Sequence, residues 1–272
     1  MKIIDCHIHF RPEIEAFCEI AKRSGHENSK RHLEEVFERN NICHAIVMGN
    51  FEPNVENHMY PDFLSYCIGL DSNTFDDRPI EYFVDLVEEN LKRDSCVGIK
   101  IYPGYCHYYP YDEIYHPFYR LAQKYNKPVA IHTGAVAGGR GGRLLKYSHP
   151  LNLDETAELF PNVNFVMCHF GNPWLCDAAA VAEKNKNVMI DLSGILEGNF
   201  EVDEFFKNSQ AYINTIKMWL SYVGDYDRVM YGTDWPIVNI EKYIEFIKRI
   251  IPKEHYEKVF YENAKRIYNL KI

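Results

Sequence analysis

The chain has 272 residues, 46% of them hydrophobic and 25% charged, ordinary globular proportions that exclude disordered, collagen-like and low-complexity architectures. Its 30 basic and 39 acidic residues leave a net charge of −9, which argues against wholesale nucleic-acid binding because that depends on neutralising phosphates. Eight cysteines contain no Cys-x-x-Cys pair, Lys2 and Asp5 interrupt the opening residues where a secretory signal would lie, and no apolar run approaches the ~18 residues of a spanning helix. The expectation is a cytoplasmic protein with reduced thiols and no membrane contact.

In chain order, a β-branched run at Lys2–Phe10 predicts a first strand, followed by helical periodicity over Arg31–Asn40. Runs at His44–Asn50 and Tyr66–Asp71 predict strands two and three, and Ile80–Lys92 predicts a helix. Strand four is expected at Val97–Gly104, a helix at Tyr115–Asn126, and strand five at Pro128–Gly134. Asn164–Gly171, Val188–Gly194 and Val229–Pro236 complete the strands, with helices at Ala178–Lys186, Glu204–Tyr222, Ile240–Ile251 and Lys253–Leu270. Regular strand–helix alternation gives parallel strands, and eight such units close into a (β/α)8 TIM barrel of one domain spanning residues 1–272. An open doubly wound sheet is the alternative. It would place a Gly-rich phosphate turn after the first strand, where this chain has His-Ile-His-Phe-Arg-Pro.

Side chains alternate faces along a strand, so Asp5, His7 and His9 are expected to share the inner face, with Cys6 and Ile8 turned to the helices. The same parity turns Ala130 and His132 inward on strand five, Met167 and His169 on strand six, and Gly232 and Asp234 on strand eight. Four imidazoles and a carboxylate then converge at the C-terminal barrel face, where sites of such barrels are built. One His-x-His pair is weak evidence in a chain with 12 His, but the constellation is stronger, and its ligand chemistry suits zinc, with manganese, iron and nickel allowed. On strand four, Gly98, Lys100 and Tyr102 face inward.

These motifs carry a resemblance. Asp5-x-His7-x-His9, Ile-His-Thr-Gly at strand five, Cys-His-Phe-Gly-Asn-Pro-Trp from Cys168 to Trp174, and Tyr-Gly-Thr-Asp-Trp-Pro at strand eight resemble the amidohydrolase superfamily. Within it, they are most similar to the amidohydrolase-related (amidohydrolase 2) branch of metal-dependent hydrolases and decarboxylases. His149-Pro150, Leu153-Asp154, Asp191-Leu192-Ser193-Gly194 and Glu262-Asn263-Ala264 extend the likeness over nearly the whole chain. The resemblance implies His7, His9 and His132 as ligands of one divalent metal, Asp234 as ligand or general base, and His169 as a catalytic imidazole. A second metal would follow only if Lys100 were carbamylated.

The reaction implied is hydrolysis of a small amide, lactone or ester by a metal-activated water, with Asp234 moving the proton and His169 orienting the water or stabilising oxyanion charge. Non-oxidative decarboxylation in the same branch is the alternative, and a catalytically silent metal-binding barrel is a third. Lys100, Tyr102 and Trp174, with Arg140 and Arg143 of the Gly-rich Ala137–Arg143 loop, are the candidate substrate-binding residues, and the cations among them suit an anionic small molecule. His107, His116 and His149 lie off the strand cores and are ranked below the ligands. A homodimer is one allowed assembly.

Overall fold

A computed structural model describes residues 1–71, 74, 75, 78–137 and 142–272. Eight strands form one parallel sheet in sequential order: β1 (Ile3–Ile8), β2 (Ile42–Met48), β3 (Leu64–Leu70), β4 (Cys96–Ile101), β5 (Val129–Ile131), β6 (Phe165–Met167), β7 (Val188–Asp191) and β8 (Val229–Met230). The first and last strands meet through an Ile8–Trp235 bridge and the bonds Cys6 N–H to Tyr231 O and His9 N–H to Trp235 O. The result is the expected TIM barrel.

Around it run α1 (Glu15–Arg23), α2 (Lys30–Asn40), α3 (Ile80–Leu91), α4 (His116–Tyr125), α5 (Leu145–Ser148), α6 (Asn152–Leu159), α7 (Leu175–Lys184), α8 (Val202–Asn208), α9 (Gln210–Val223), α10 (Ile240–Ile250) and α11 (Asn263–Ile267). Helix starts are set locally: Ser29 Oγ accepts from His32 N–H, and Asn239 Oδ1 from Lys242 N–H, satisfying amides that have no intrahelical partner. The helix expected at Glu204–Tyr222 breaks at Ser209 into α8 and α9, and the one expected at Lys253–Leu270 is a 3-10 turn, a π turn over Lys258–Glu262, and α11. Among the described residues no helix is long and apolar enough to cross a membrane.

Two apolar layers result. Outward residues such as Ile3, Ile68, Ile99, Ile131, Phe165 and Ile190 pack against the helices, while Ile4, Cys6, Ile46, Val97, Val166, Met189 and Met230 fill the barrel. Ile267, Tyr268 and Leu270 join the inner group, so the terminal segment plugs the N-terminal end.

Simple alternation is interrupted by register shifts at Ile42–His44 in β2 and Cys96–Gly98 in β4, and it fails at two places that bear on the polar residues. Asp5 pairs with Ala45 and Ile8 with Val47, so β1 carries one extra residue in that interval. Cys6 follows Ile4 into the barrel rather than toward the helices, and the bulge lets His7 point inward as well. Asp5 is thereby removed from the shared face of His7 and His9, and its carboxylate binds Thr233 instead. On β6, Met167 belongs to the outer layer and Cys168 to the inner one, opposite to the expected parity. His169 still reaches the interior because it and Phe170 adopt left-handed backbone, φ 62° and 46°.

Candidate active site

The C-terminal ends of the strands place the polar residues, and each exit is locally shaped to do so. Asp234 follows β8 in left-handed backbone, φ 64°, a conformation costly for a residue with a Cβ and retained where surrounding contacts enforce it. Here Asp234 N–H donates to His7 O at 2.8 Å. Asp5 holds Thr233, the preceding residue, through Oδ1 to its N–H at 2.9 Å and Oδ2 to its Oγ1 at 2.6 Å. Burial pushes the Asp5 carboxyl up to about 7. Gly194, φ 59°, leaves room for the centre, because a Cβ there would sit 2.7 Å from His169 Nδ1 and 3.0 Å from Asp234 Oδ2.

The protons of the four imidazoles can be assigned from their partners. His7 Nδ1–H donates to Asp191 Oδ2 at 2.5 Å, and His9 Nδ1–H to Asn50 Oδ1 at 2.6 Å, with Met48 O at 3.1 Å. His132 Nε2–H donates to Ala135 O at 3.0 Å and His169 Nδ1–H to Ser193 O at 3.1 Å. Each ring therefore spends its proton on an outward acceptor and turns a lone pair inward.

Those lone pairs meet other electron-rich atoms. His7 Nε2 and His9 Nε2 lie 3.4 and 3.2 Å from Asp234 Oδ1, and His132 Nδ1 lies 3.2 Å from His169 Nε2. His7 Nε2 and Asp234 Oδ1 are buried without a hydrogen-bond partner. Burial, reinforced by Lys100, lowers His7 to about 4. Burial likewise lowers His132 and His169, so these three rings are neutral. Burial alone would raise Asp234, and it is positive charge on His7, His9 and His169 that would hold the carboxyl well below its usual range, so with His7 and His169 neutral that place is left for a cation. An anion and four inward lone pairs with nothing positive among them form a donor set that fits a divalent cation. His7, His9 and Asp234 offer ligand atoms within 4.8 Å of one another, whereas His132 stands outside that trio.

A second close group, His7, Cys168 and Asp191, lacks this character. His7 and Asp191 are already bonded to each other, and burial pushes the Cys168 thiol up to about 12. Cys168 Sγ instead accepts from Lys100 Nζ at 2.9 Å. Lys100 is fully buried, and its ammonium has no carboxylate partner among the described residues.

A cavity of about 380 Å³ opens over this floor, lined by Lys100, Tyr102 and Arg143 as well as the histidines and Asp234. Tyr102 is fixed by its hydroxyl, which donates to Gly49 O at 2.8 Å, and the Arg143 guanidinium sits 5.1 Å above the Tyr105 ring. Arg140 lies outside the described residues. Trp174 does not join the group: its ring packs 4.8 Å from His149 beside α7, and it lines neither cavity at the barrel mouth. His107 and His116 bond loop carbonyls, at Gly142 and Tyr111.

Three functional groups escape the sequence reading in different ways. Asp191 follows inward-facing Met189 by two residues on β7, and Asn50 stands at the same interval from Met48 on β2. Strand parity carried past the apolar run would have marked both. Ser193, whose Oγ bridges Asp191 Oδ2 and the Nδ1 atoms of His7 and His169 at 3.0 to 3.1 Å, lies two residues further on the same parity, within the Asp-Leu-Ser-Gly motif that the resemblance includes without giving Ser193 a role.

The chain belongs to the amidohydrolase family, in its Amidohydro_2 branch, matching over residues 4–270. No curated protein sequence matches it. Among solved structures it resembles an uncharacterized TIM-barrel protein from Bordetella bronchiseptica, at 18% identity and TM-score 0.72 with 99% of each chain covered. A 5-carboxyvanillate decarboxylase from Sphingomonas paucimobilis aligns at 14% identity and TM-score 0.65, again over 99% of each chain. A dihydroxybenzoic acid decarboxylase from Polaromonas, solved with bound manganese and 2-nitroresorcinol, aligns at 14% identity and TM-score 0.68 over 100% of this chain and 98% of its own. At these identities the likeness is one of fold. The family consists of enzymes whose members bind a divalent metal and act on small molecules.

Proposed function

We propose that this protein is a metal-dependent hydrolase acting on a small amide, ester or lactone that bears a carboxylate. One observation carries the reading: the four imidazoles commit their protons outward and leave lone pairs, with the Asp234 carboxylate, around a common space. His7, His9 and Asp234 would hold the ion, with His132 completing the set, and nitrogen and carboxylate donors of this kind suit zinc and also accept manganese. When bound, a divalent ion supplies Lewis acidity and lowers the pKa of water toward neutrality.

The remaining chemistry belongs to the chain. Asp234, held ionised, accepts a proton from the attacking water and returns it to the leaving oxygen or nitrogen. His169 Nε2 accepts a hydrogen bond from that water and orients it toward the scissile carbonyl. Lys100, an ammonium on the cavity floor with a thiol as its protein partner, pairs with the substrate carboxylate, and Arg143 and Tyr102 line the same side. Burying a lone ammonium is costly, and a carboxylate that arrives with the substrate offsets that cost.

Metal analysis of the purified protein is the first test, with about one zinc or manganese per chain expected. Turnover of half-esters of dicarboxylic acids in ¹⁸O-labelled water is the second. One ¹⁸O in the new carboxylate supports hydrolysis, and release of carbon dioxide without label uptake would replace it by decarboxylation.

A further inference from the structure

Two cavities open at the barrel mouth: the one of about 380 Å³ over Lys100 and Arg143, and a second of about 450 Å³ lined by Val136, Ile195, Leu196 and Glu197. Four polar side chains line both, Tyr105, His132, His169 and Asp234. The reaction proposed above places its carbonyl among them, because Asp234 and His169 act on it. Three of the four have no hydrogen to give that carbonyl. His132 Nε2–H is spent on Ala135 O and His169 Nδ1–H on Ser193 O, and Asp234 is the base. Tyr105 differs. Ala137 N–H donates to its hydroxyl oxygen at 2.7 Å, and its own hydroxyl hydrogen has no acceptor among the described residues. Tyr102, three residues earlier, has already given its hydrogen to Gly49 O. Lys100 and Arg143 line the first cavity alone and Asn172 the second alone, so Tyr105 is the donor at the boundary.

The turn after β4 holds that hydroxyl in place. Tyr105 N–H and Cys106 N–H donate to Tyr102 O at 3.2 and 2.9 Å, and Gly104 takes left-handed backbone, φ 92°, where a Cβ would meet Val136 Cγ1 at 2.6 Å. The Tyr105 ring packs edge-on against His132, with centroids 5.0 Å apart. Resting on the hydrolase reading, we infer that Tyr105 is a catalytic residue whose hydroxyl donates to the carbonyl oxygen as that oxygen becomes an oxyanion. Water adds its oxygen to the carbonyl carbon and gives a proton to Asp234, while the π electron pair of the carbonyl moves onto its oxygen, which accepts the Tyr105 hydrogen bond. Tyr105 keeps its proton throughout. The electron pair then returns, the carbon–oxygen or carbon–nitrogen bond breaks, and the proton on Asp234 passes to the departing atom. A donor aimed where charge develops stabilises the transition state more than the neutral substrate, and the Ala137 N–H polarises the O–H that does so.

The test compares Tyr105→Phe with the unsubstituted, metal-loaded enzyme on the monomethyl ester of succinic acid. Loss of one such donor should lower kcat about 10²–10³-fold, with KM changed less than about three-fold. Binding supplies a readout without turnover. The methyl monoester of carboxyethylphosphonic acid carries an anionic tetrahedral centre in place of the ester carbonyl, and levulinate carries a neutral ketone there. In titration calorimetry the variant should bind the phosphonate at least about ten-fold more weakly and levulinate within about three-fold, at unchanged metal content. Unchanged kcat overturns the assignment, and so does equal weakening of both ligands, which a merely structural hold on the loop after β5 would give. If no ester is cleaved, hydrolysis fails and the two ligands decide for Tyr105 alone. Selective loss of the phosphonate keeps it as donor to an anionic oxygen, whereas equal loss, or failure of both ligands to bind the unsubstituted protein, removes it.

Discussion

The two halves of the barrel interior follow different rules. Toward the N-terminal end, Ile4, Ile46, Val97, Val166, Met189 and Met230 line the interior and pack against Ile267, Tyr268 and Leu270, despite register shifts at Ile42–His44 in β2 and Cys96–Gly98 in β4. Toward the C-terminal end, alternation is broken by a bulge in β1 and by left-handed residues at His169, Phe170 and Asp234. The lower half is apolar apart from the Tyr268 hydroxyl, which is buried without a partner. The upper half leaves His7 Nε2 and Asp234 Oδ1 buried and unpaired, a cost that a folded chain retains where a ligand meets it. Stability and chemistry are thus separated along the barrel axis, and substitutions in each half should have separable effects.

The largest effect is expected at Asp234. Asp234→Asn keeps shape and one oxygen ligand but removes the proton acceptor, so turnover should fall about 10²–10⁴-fold, the usual contribution of a positioned acid–base group. Much of the metal should stay bound, as mass spectrometric metal analysis would reveal. Undiminished kcat would take Asp234 out of the proton path. The counterpart in the lower half is Met230→Ala, which empties a fully buried position and should cost about 2–5 kcal/mol in urea unfolding. Its folded fraction should retain the metal stoichiometry of the unsubstituted protein. If metal is lost in proportion to stability, the two halves are not independent.

How much of this was legible in the sequence divides along the same line. The eight strands were readable because parallel strands covered on both faces appear as short apolar runs ending in Gly, Pro, Asn or Asp. Strand parity placed Ala130 and His132 correctly because β5 runs into its exit without a register shift. It failed for Cys6, Asp5 and Met167, where the chain inserts a residue or turns left-handed, and neither event leaves a periodic signal. The expected strands also ran too far. Val229–Pro236 shortens to Val229–Met230 and Asn164–Gly171 to Phe165–Met167, because the residues beyond them are drawn out of the ladder to form the site. The second cavity was invisible from the sequence, since Val136, Ile195 and Leu196 come from loops after β5 and β7 whose meeting depends on the closed barrel.

An intermediate effect should come from Asp191, which meets the outer edge of the His7 ring and the amide and hydroxyl of Ser193. Its carboxylate fixes the tautomer that turns His7 Nε2 inward, the usual role of an outer partner of a ligating histidine. Asp191→Asn should weaken metal affinity by about 10–100-fold, measured by competition with a chelator, while the urea midpoint of the metal-free protein moves far less than for Met230→Ala. A change in stability with unaltered affinity would place Asp191 with the structural residues.

The smallest effect separates an imidazole used for structure from those used for chemistry. His58 is buried on the flank of β3, stacked on Tyr66 with ring centroids 5.1 Å apart, and donates Nε2–H to Glu52 O at 3.1 Å. Burial lowers it from 6.5 to about 4. The unfolded chain takes up this proton near pH 6.5 while the native state refuses it until about 4, so His58 leaves stability intact above the upper value and erodes it as pH falls toward the lower. The full loss is on the order of 3 kcal/mol. His26 and His44 act in the same direction. Asp5 opposes them, because a native carboxyl raised to about 7 from 3.8 holds a proton that the unfolded chain releases, and stability falls as pH rises through that interval. The difference between unsubstituted protein and His58→Gln isolates one group: the variant's unfolding free energy should decline less steeply between pH 6.5 and 4. Its kcat against pH should superimpose on that of the unsubstituted enzyme, because His58 lines neither cavity. A shifted kcat profile would show that an imidazole outside the barrel reaches the upper half after all.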